Sequence, residues 1–133
     1  MRKSITKMLS PDIRCLINKF NIDFTDLLEI RLRINEPLIL VFSHGDYFIH
    51  ESRGLVEKKA GVYLVTQSDI KSTLDFVSDY SLYAFEDEVR QGFITVRGGH
   101  RVGLAGQVVL DRGRIKSVKH ISFINIRISH QVI

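Results

Sequence analysis

Residues 80–106 read Tyr80-Ser-Leu-Tyr-Ala-Phe-Glu-Asp-Glu-Val-Arg-Gln-Gly92 and then Phe93-Ile-Thr-Val-Arg-Gly-Gly-His-Arg-Val-Gly-Leu-Ala-Gly106. The first half places apolar residues at helical spacing and closes with a glycine, which commonly ends a helix. The second half predicts two strands, residues 93–97 and 101–110. Gly98 and Gly99 join them, because both glycines can take the positive φ of a hairpin turn. The stretch therefore predicts a helix followed by a β-hairpin.

The second strand of this hairpin has an unusual outer face. Its inward positions are apolar, whereas the outer positions carry Arg101 beside the small residues Gly103 and Ala105. A further strand, residues 123–128, carries Arg127 on its own outer face. Glycine in a strand marks close approach of another backbone or a ligand, and guanidinium groups pair bidentately with phosphate or carboxylate. This bare basic face is either ordinary solvated sheet or a docking surface for a phosphate, a partner chain or a nucleic acid.

The rest of the chain predicts an α+β domain. Ser10 and Pro11 are typical of the N-cap and first position of a helix, and Thr66 with Asp69 forms a capping box for another. Residues 29–34 alternate strictly, which predicts a half-buried strand. Further strands are predicted at residues 38–42, 47–49, 114–118 and 123–128, a short apolar segment lies at residues 63–65, and residues 51–60 are predicted to form a loop. The predicted fold is a mostly antiparallel sheet with helices packed on one face.

Length and composition predict one globular domain spanning residues 1–133. The chain of 133 residues has 44% hydrophobic and 26% charged residues, as an ordinary globular protein does. No apolar run approaches the roughly 18 residues of a membrane-spanning helix, and the basic start lacks the apolar segment of a signal peptide. The single cysteine, Cys15, allows no internal disulfide and suits a reducing compartment. A cytoplasmic location is therefore expected.

Charge is distributed unevenly along the chain. Residues 66–89 hold one basic and six acidic residues, a net charge of −5, whereas residues 90–133 hold eight basic and one acidic, a net charge of +7. These charges are either solvated wherever they fall, or they form an acidic helical surface and a basic strand surface that meet. If the surfaces meet between copies packed head to tail, a closed ring follows.

The sequence carries no pattern of an enzyme or a metal site. It has no phosphate-binding loop of the Walker A type, and the glycines at 98–106 lie in a hairpin rather than opening a helix. The histidines lack ligand spacing to cysteine or carboxylate, and His100 is predicted to be a solvated turn residue. Glu86, Asp87 and Glu88 are consecutive and point in different directions around a helix. No catalytic residue, metal ligand or cofactor is therefore expected in this chain.

Four segments of the chain form a specific pattern. They are Glu-Ile-Arg-Leu-Arg-Ile-Asn-Glu-Pro-Leu at residues 29–38, the helix segment of residues 80–92, Gly-Gly-His-Arg-Val-Gly-Leu-Ala-Gly at residues 98–106, and Ile-Ser-Phe-Ile-Asn-Ile-Arg-Ile at residues 121–128. Together they closely resemble the amino-terminal region of the stage III sporulation protein AA family, over nearly the whole chain from Pro11 onward. That family is similar to the motor ATPases of type II and type IV secretion systems and of pili.

The resemblance implies a PAS-like amino-terminal domain followed by a RecA-like ATPase domain, with six chains in a ring at the cytoplasmic face of a membrane channel. ATP and Mg²⁺ would belong to the ATPase domain, which is expected downstream because the chain ends at Ile133 without a Walker A motif. The partners implied are this chain's own ATPase domain, neighbouring subunits and the membrane subunits of a sporulation channel. The fragment itself is expected not to be an enzyme.

The resemblance also gives expected roles to particular arginines. In the motor family, arginines on the strands that align with Arg101 and Arg127 reach toward nucleotide held by an ATPase domain. Arg97, Arg31 and Arg33 are further candidates for contact with a nucleotide or a partner chain.

Two functions from different classes fit the sequence. One is an assembly and regulatory domain of a sporulation-channel ATPase, and the other is a nucleic-acid-binding module that uses the basic strands of residues 90–133. Sheet modules that bind nucleic acid usually interleave aromatic residues for base stacking. On the basic strands only Phe93 and Phe123 can serve in that way, so the assembly function is favoured.

Overall fold

The computed structural model describes residues 1–79, 93–96, 98–112 and 114–130. Within these residues the chain forms three helices and seven strands. The helix predicted within residues 80–92 lies outside the described residues.

The seven strands form one sheet. They are β1 (Leu27–Arg33), β2 (Ile39–Phe42), β3 (Gly45–His50), β4 (Gly54–Val56), β5 (Phe93–Thr95), β6 (Arg101–Asp111) and β7 (Arg114–Arg127). Their spatial order is β4-β3-β2-β1-β7-β6-β5, and every pairing described is antiparallel. Two meanders, β1 to β4 and β5 to β7, therefore join through β1 and β7, where Ile30 lies opposite Ile126.

The three helices are α1 (Arg2–Thr6), α2 (Pro11–Lys19) and α3 (Gln67–Val77). As predicted, α2 begins at its proline, and Ser10 Oγ accepts a hydrogen bond from the backbone N–H of Ile13. The predicted capping box of α3 is confirmed, because the N–H of Asp69 donates to Thr66 Oγ1 and the N–H of Thr66 donates to Asp69 Oδ2, both at 3.0 Å. None of these three helices is long and apolar enough to cross a membrane.

The hydrophobic core lies between the helices and one face of the sheet. A single cluster of buried aliphatic side chains joins them, with Ile5, Ile13, Ile17 and Ile70 from the helices and Ile30, Leu32, Leu40, Ile94, Val102, Ile124 and Ile126 from the strands. Full burial of one such side chain contributes about 1.5–3 kcal/mol, so this cluster is the main stabilising feature. The predicted α+β class with a mostly antiparallel sheet is confirmed.

The hairpin between β5 and β6 turns where the sequence predicts. Gly98 has a φ of 97° and Gly99 a φ of 83°, both in the region that favours glycine. The N–H of Gly99 donates to the carbonyl of Val96, and the N–H of Val96 donates to the carbonyl of His100, both at 2.9 Å. The first strand of the hairpin ends at Thr95, before the predicted boundary at residue 97.

The last strand is longer than predicted. The sequence predicts separate strands at residues 114–118 and 123–128, but β7 is continuous. Its register with β6 shifts after Ala105, so that residues 120–122 lie opposite Gly106. A β-bulge accommodates extra residues without ending a strand, which explains why the polar residues between the two predicted strands do not form a turn.

Two short elements are absent from the prediction. Residues 51–60, predicted as a loop, contain β4, where Leu55 pairs with Ile49. Gly54 opens β4 with a φ of 79°, and a Cβ there would lie 3.1 Å from the ring of Phe20. The helix α1 places Ile5 in the core with no exposed surface, but five residues are too few to show helical periodicity.

Candidate functional site

The face of the sheet opposite the helices carries the predicted arginines, and we call it the polar face. Directly paired residues on neighbouring strands share a face, so the register of β5, β6, β7 and β1 arranges this surface in rows. The residues of the polar face on these strands are Phe93, Thr95, Arg101, Gly103, Ala105, Phe123, Asn125, Arg127, Glu29, Arg31 and Arg33.

Two arginines face each other in one of these rows, which runs through Thr95, Arg101, Arg127 and Glu29. Arg101 and Arg127 are direct cross-strand partners, and both are exposed. Like charges directly opposite one another in a sheet are destabilising. Among the described residues neither arginine forms a salt bridge, although Glu29 lies directly opposite Arg127 on β1.

Glu29, the next residue in the row, forms no salt bridge with Arg101 or Arg127. Its Oε2 accepts a hydrogen bond from Arg31 Nε and its Oε1 accepts one from Asn125 Nδ2, both at 2.7 Å. The Glu29 side chain is 14% exposed, and both of its oxygens are engaged. The remaining polar atom of Asn125, Oδ1, is buried without a hydrogen-bond partner among the described residues. The polar face therefore keeps one unsatisfied acceptor beside its unpaired cations.

Two phenylalanines hold arginines over their rings. The Cζ of Arg101 lies 4.6 Å from the centre of the Phe93 ring, and the Cζ of Arg33 lies 4.9 Å from the centre of the Phe123 ring. Both distances fall within the range of cation–π attraction. The rings restrain the two guanidinium groups, and the guanidinium groups in turn occupy the ring faces.

The predicted site residues divide into two groups. Arg101 and Arg127 form the opposed pair, whereas Arg31 and Arg33 line a cavity of about 260 Å³ together with Lys59. The structure thus brings four predicted arginines to one face of the sheet, and their functional role stays a prediction. Arg97 lies outside the described residues. Sequence reasoning missed Lys59, which no local pattern distinguishes from its neighbours.

His100 is buried, so its predicted place as a solvated turn residue is wrong. Its Nδ1 accepts a hydrogen bond from the backbone N–H of Ser129 at 3.0 Å, which assigns the ring proton to Nε2. Nε2 then donates to Ser4 Oγ at 2.8 Å, and Ser4 Oγ donates to the carbonyl of Met1 at 2.7 Å. Burial, followed by the positive charge of His130, lowers the pKa of His100 below that of an ordinary histidine. His100 therefore ties α1 to the hairpin and to the end of β7.

Metal-binding geometry is absent from the part of the chain that the structure describes. No three histidine, cysteine, aspartate or glutamate side chains there lie close enough to hold an ion. Cys15 is exposed on α2.

The fold and the polar face define a class of protein, an α+β domain whose antiparallel sheet presents arginines on the face opposite its helices. The whole chain, residues 1–133, matches the family described as sporulation stage III, protein AA. The chain belongs to this family.

A curated relative supports this membership. The stage III sporulation protein AA of Bacillus subtilis (strain 168) is 36% identical to the chain over 106 residues, which cover 80% of the chain and 31% of the relative. The chain thus matches about a third of the length of that relative. No solved structure matches the chain.

Proposed function

We propose that this chain is the amino-terminal assembly and regulatory domain of a secretion-type ATPase that serves sporulation, and that it works through the polar face. The observation that carries the proposal is the direct opposition of Arg101 and Arg127, neither of which forms a salt bridge among the described residues. An arrangement that costs stability in the isolated domain has a purpose if an anion bridges the two side chains in the assembled protein.

The chemistry of the pair limits what can bridge it. Arginine forks bind carboxylate and phosphate groups through parallel hydrogen bonds. Stacking on Phe93 holds Arg101 in place before any partner arrives. The acceptor is therefore either the phosphate of a nucleotide held by an ATPase domain or a carboxylate on an adjoining chain.

The wider setting is part of the same proposal. The relative is named for stage III of sporulation, and its greater length leaves room for the RecA-like domain that the resemblance implies. ATP and Mg²⁺ would bind there, while the domain described here, with a PAS-like fold, would hydrolyse no ATP. The partners would be neighbouring subunits of a hexamer and membrane subunits of a sporulation channel, with the protein peripheral to the cytoplasmic face of the membrane.

The alternative function, nucleic-acid binding, is less consistent with the polar face. Phe93 and Phe123 are the aromatic residues available for base stacking on the basic strands, and the guanidinium groups of Arg101 and Arg33 already cover them. A base would have to displace an arginine from each ring before it could stack.

The test uses the longer protein of which this chain is proposed to be the amino-terminal part. Arg101→Ala and Arg127→Ala are compared with Arg53→Ala, which removes an exposed arginine outside the polar face. If either arginine reaches the transferred phosphate, ATP turnover falls by about 10³-fold or more. If the pair binds a carboxylate of a neighbour, the ring measured by light scattering dissociates instead.

Normal turnover and normal assembly in both polar-face variants would refute the proposal. Binding of a labelled oligonucleotide, measured at increasing salt concentration, tests the nucleic-acid alternative, because binding through phosphate contacts weakens steeply as salt rises.

A further inference from the structure

A second basic site lies beside the arginine pair, where β1 and β2 meet the segment that follows β4. It is a cavity of about 260 Å³, a little smaller than typical sites for drug-sized ligands, which measure about 300–1,000 Å³. Its charged lining residues are Arg31, Arg33, Lys59 and Glu36, and Ile39 and Phe48 supply the main apolar surface. The size suits one small group.

Both arginines of this cavity are held by residues that do not line it. Arg31 donates through Nε to Glu29, and among the described residues its two terminal nitrogens have no partner. Arg33 stacks on Phe123. The two guanidinium groups are thus fixed in position, which lowers the entropy lost when a ligand binds.

The charge of the lining is positive. Three cations face one carboxylate, that of Glu36, which is exposed and forms no salt bridge within the described part of the chain. The lining therefore carries a net charge of +2 from Arg31, Arg33, Lys59 and Glu36. A concave surface with one sign of charge concentrates counter-ions at its centre.

We propose that this cavity binds the phosphate group of a small ligand, either a free phosphate compound or a lipid headgroup. A phosphate monoester carries a charge of about −1.5 to −2 near neutral pH, which matches this lining better than a single carboxylate does. The two guanidinium forks fit phosphate oxygens, and Lys59 supplies a mobile point charge at the rim.

This site is separate from the proposed docking of Arg101 and Arg127. None of its lining residues belongs to that pair, and its test needs neither ATP turnover nor ring assembly. Failure of one proposal therefore leaves the other intact.

The experiment measures binding of pyrophosphate to the chain by calorimetry and by amide shifts in NMR spectra, at constant low ionic strength. The matched variants are Lys59→Gln and Lys58→Gln, because both residues are exposed neighbours but only Lys59 lines the cavity. We expect Lys59→Gln to weaken binding about tenfold, as the loss of one charged hydrogen bond does, and Lys58→Gln to leave it within about twofold. Glu36→Gln should strengthen binding, since it removes the carboxylate that lines the cavity.

A second variant, Arg33→Gln, should weaken binding similarly, with its melting temperature measured to confirm that it folds. Vesicles of phosphatidic acid, whose headgroup is a phosphate monoester, compared with phosphatidylcholine, identify the source of the phosphate: retention on the anionic vesicles that Lys59→Gln abolishes assigns a lipid headgroup. Equal loss of pyrophosphate binding in Lys58→Gln and Lys59→Gln, or no binding of either probe, would overturn the proposal.

Discussion

Asp69 shows at the residue scale how one buried carboxylate organises two helices. It is 1% exposed, and its Oδ1 accepts a hydrogen bond from Ser10 Oγ at 2.7 Å, while Oδ2 accepts from the hydroxyl of Tyr63 and the N–H of Thr66. It thus links the N-caps of α2 and α3. Burial, together with the hydrogen bond to Asp69, raises the pKa of Tyr63, so the phenol stays protonated and continues to donate.

The first prediction is that Asp69→Asn lowers the free energy of unfolding by about 1–3 kcal/mol, because the amide nitrogen cannot accept and leaves a buried donor unsatisfied. Asp75→Asn, on the same helix, serves as the control and should change it by less than about 0.5 kcal/mol. Urea denaturation of both variants measures the difference. Equal stabilities would show that the carboxylate does not hold the two caps together.

The second prediction concerns the pH dependence that His100 contributes. Its pKa is lower in the folded chain than in the unfolded chain, where it takes the ordinary histidine value. Between these two pKa values the unfolded state binds more protons, so stability rises with pH there. His100 should therefore contribute fully above the unfolded pKa and lose its contribution as pH falls below it toward the folded pKa. Thermal melts between pH 8 and pH 5 should show a melting temperature that falls as the pH falls. This dependence on pH should be weaker in His100→Gln. An unchanged slope in that variant would contradict the assignment.

At the scale of elements, the β5–β6 hairpin depends on two glycines, Gly98 and Gly99. Both have positive φ, and a Cβ on Gly98 would lie 3.1 Å from His100 Nε2 and 3.2 Å from Ser4 Oγ. The turn is therefore packed against the hydrogen bond between those two side chains.

The third prediction is that Gly99→Ala costs about 1 kcal/mol through its backbone conformation, and that Gly98→Ala costs more because it also disturbs the His100–Ser4 contact. Replacing both glycines with valine should destabilise the domain by more than about 1 kcal/mol. Melting temperatures of the variants show which substitution destabilises the domain more. Equal losses for the two alanine variants would mean that the His100–Ser4 contact adjusts freely.

The same elements show what the sequence can and cannot predict. The caps at Ser10 and Thr66 and the turn at Gly98 were predictable because their chemistry lies within a few neighbouring residues. The burial of His100 was not, because its partner Ser4 is 96 residues away in the chain. Lys59 joins the cavity for a similar reason: only the fold of the segment after β4 brings it into the same lining as Arg31. Local rules therefore predict elements well, and contacts between distant segments define the sites.

At the scale of the whole molecule, the two faces of the sheet differ: one packs in the hydrophobic core and the other carries charged side chains. Its inner face supplies the aliphatic core, and its outer face gathers Arg101, Arg127, Arg31 and Arg33. Alternation along each strand lets neighbouring residues serve these two purposes, as Ile126 and Arg127 do.

The last prediction follows from this arrangement and rests on both proposed sites. A ligand that binds only the native state raises the free energy of unfolding, by about 1.4 kcal/mol when its concentration is about ten times Kd. We expect pyrophosphate to raise the melting temperature of the domain by about 4–8 °C at saturating concentrations, relative to sodium chloride of equal ionic strength. Lys59→Gln and Arg101→Gln should each remove part of this rise. The two reductions of the rise in melting temperature should add in the double variant, because the cavity and the arginine pair share no residue.

Lys58→Gln is the control for net charge in this series and should keep the full rise. General exclusion of a strongly hydrated anion from the protein surface would also stabilise the domain, but it would not distinguish Lys58 from Lys59. A rise that persists in the double variant would therefore contradict specific binding at both places. A rise lost with Lys59→Gln alone would assign the anion to the cavity and leave the arginine pair for a carboxylate of a partner chain.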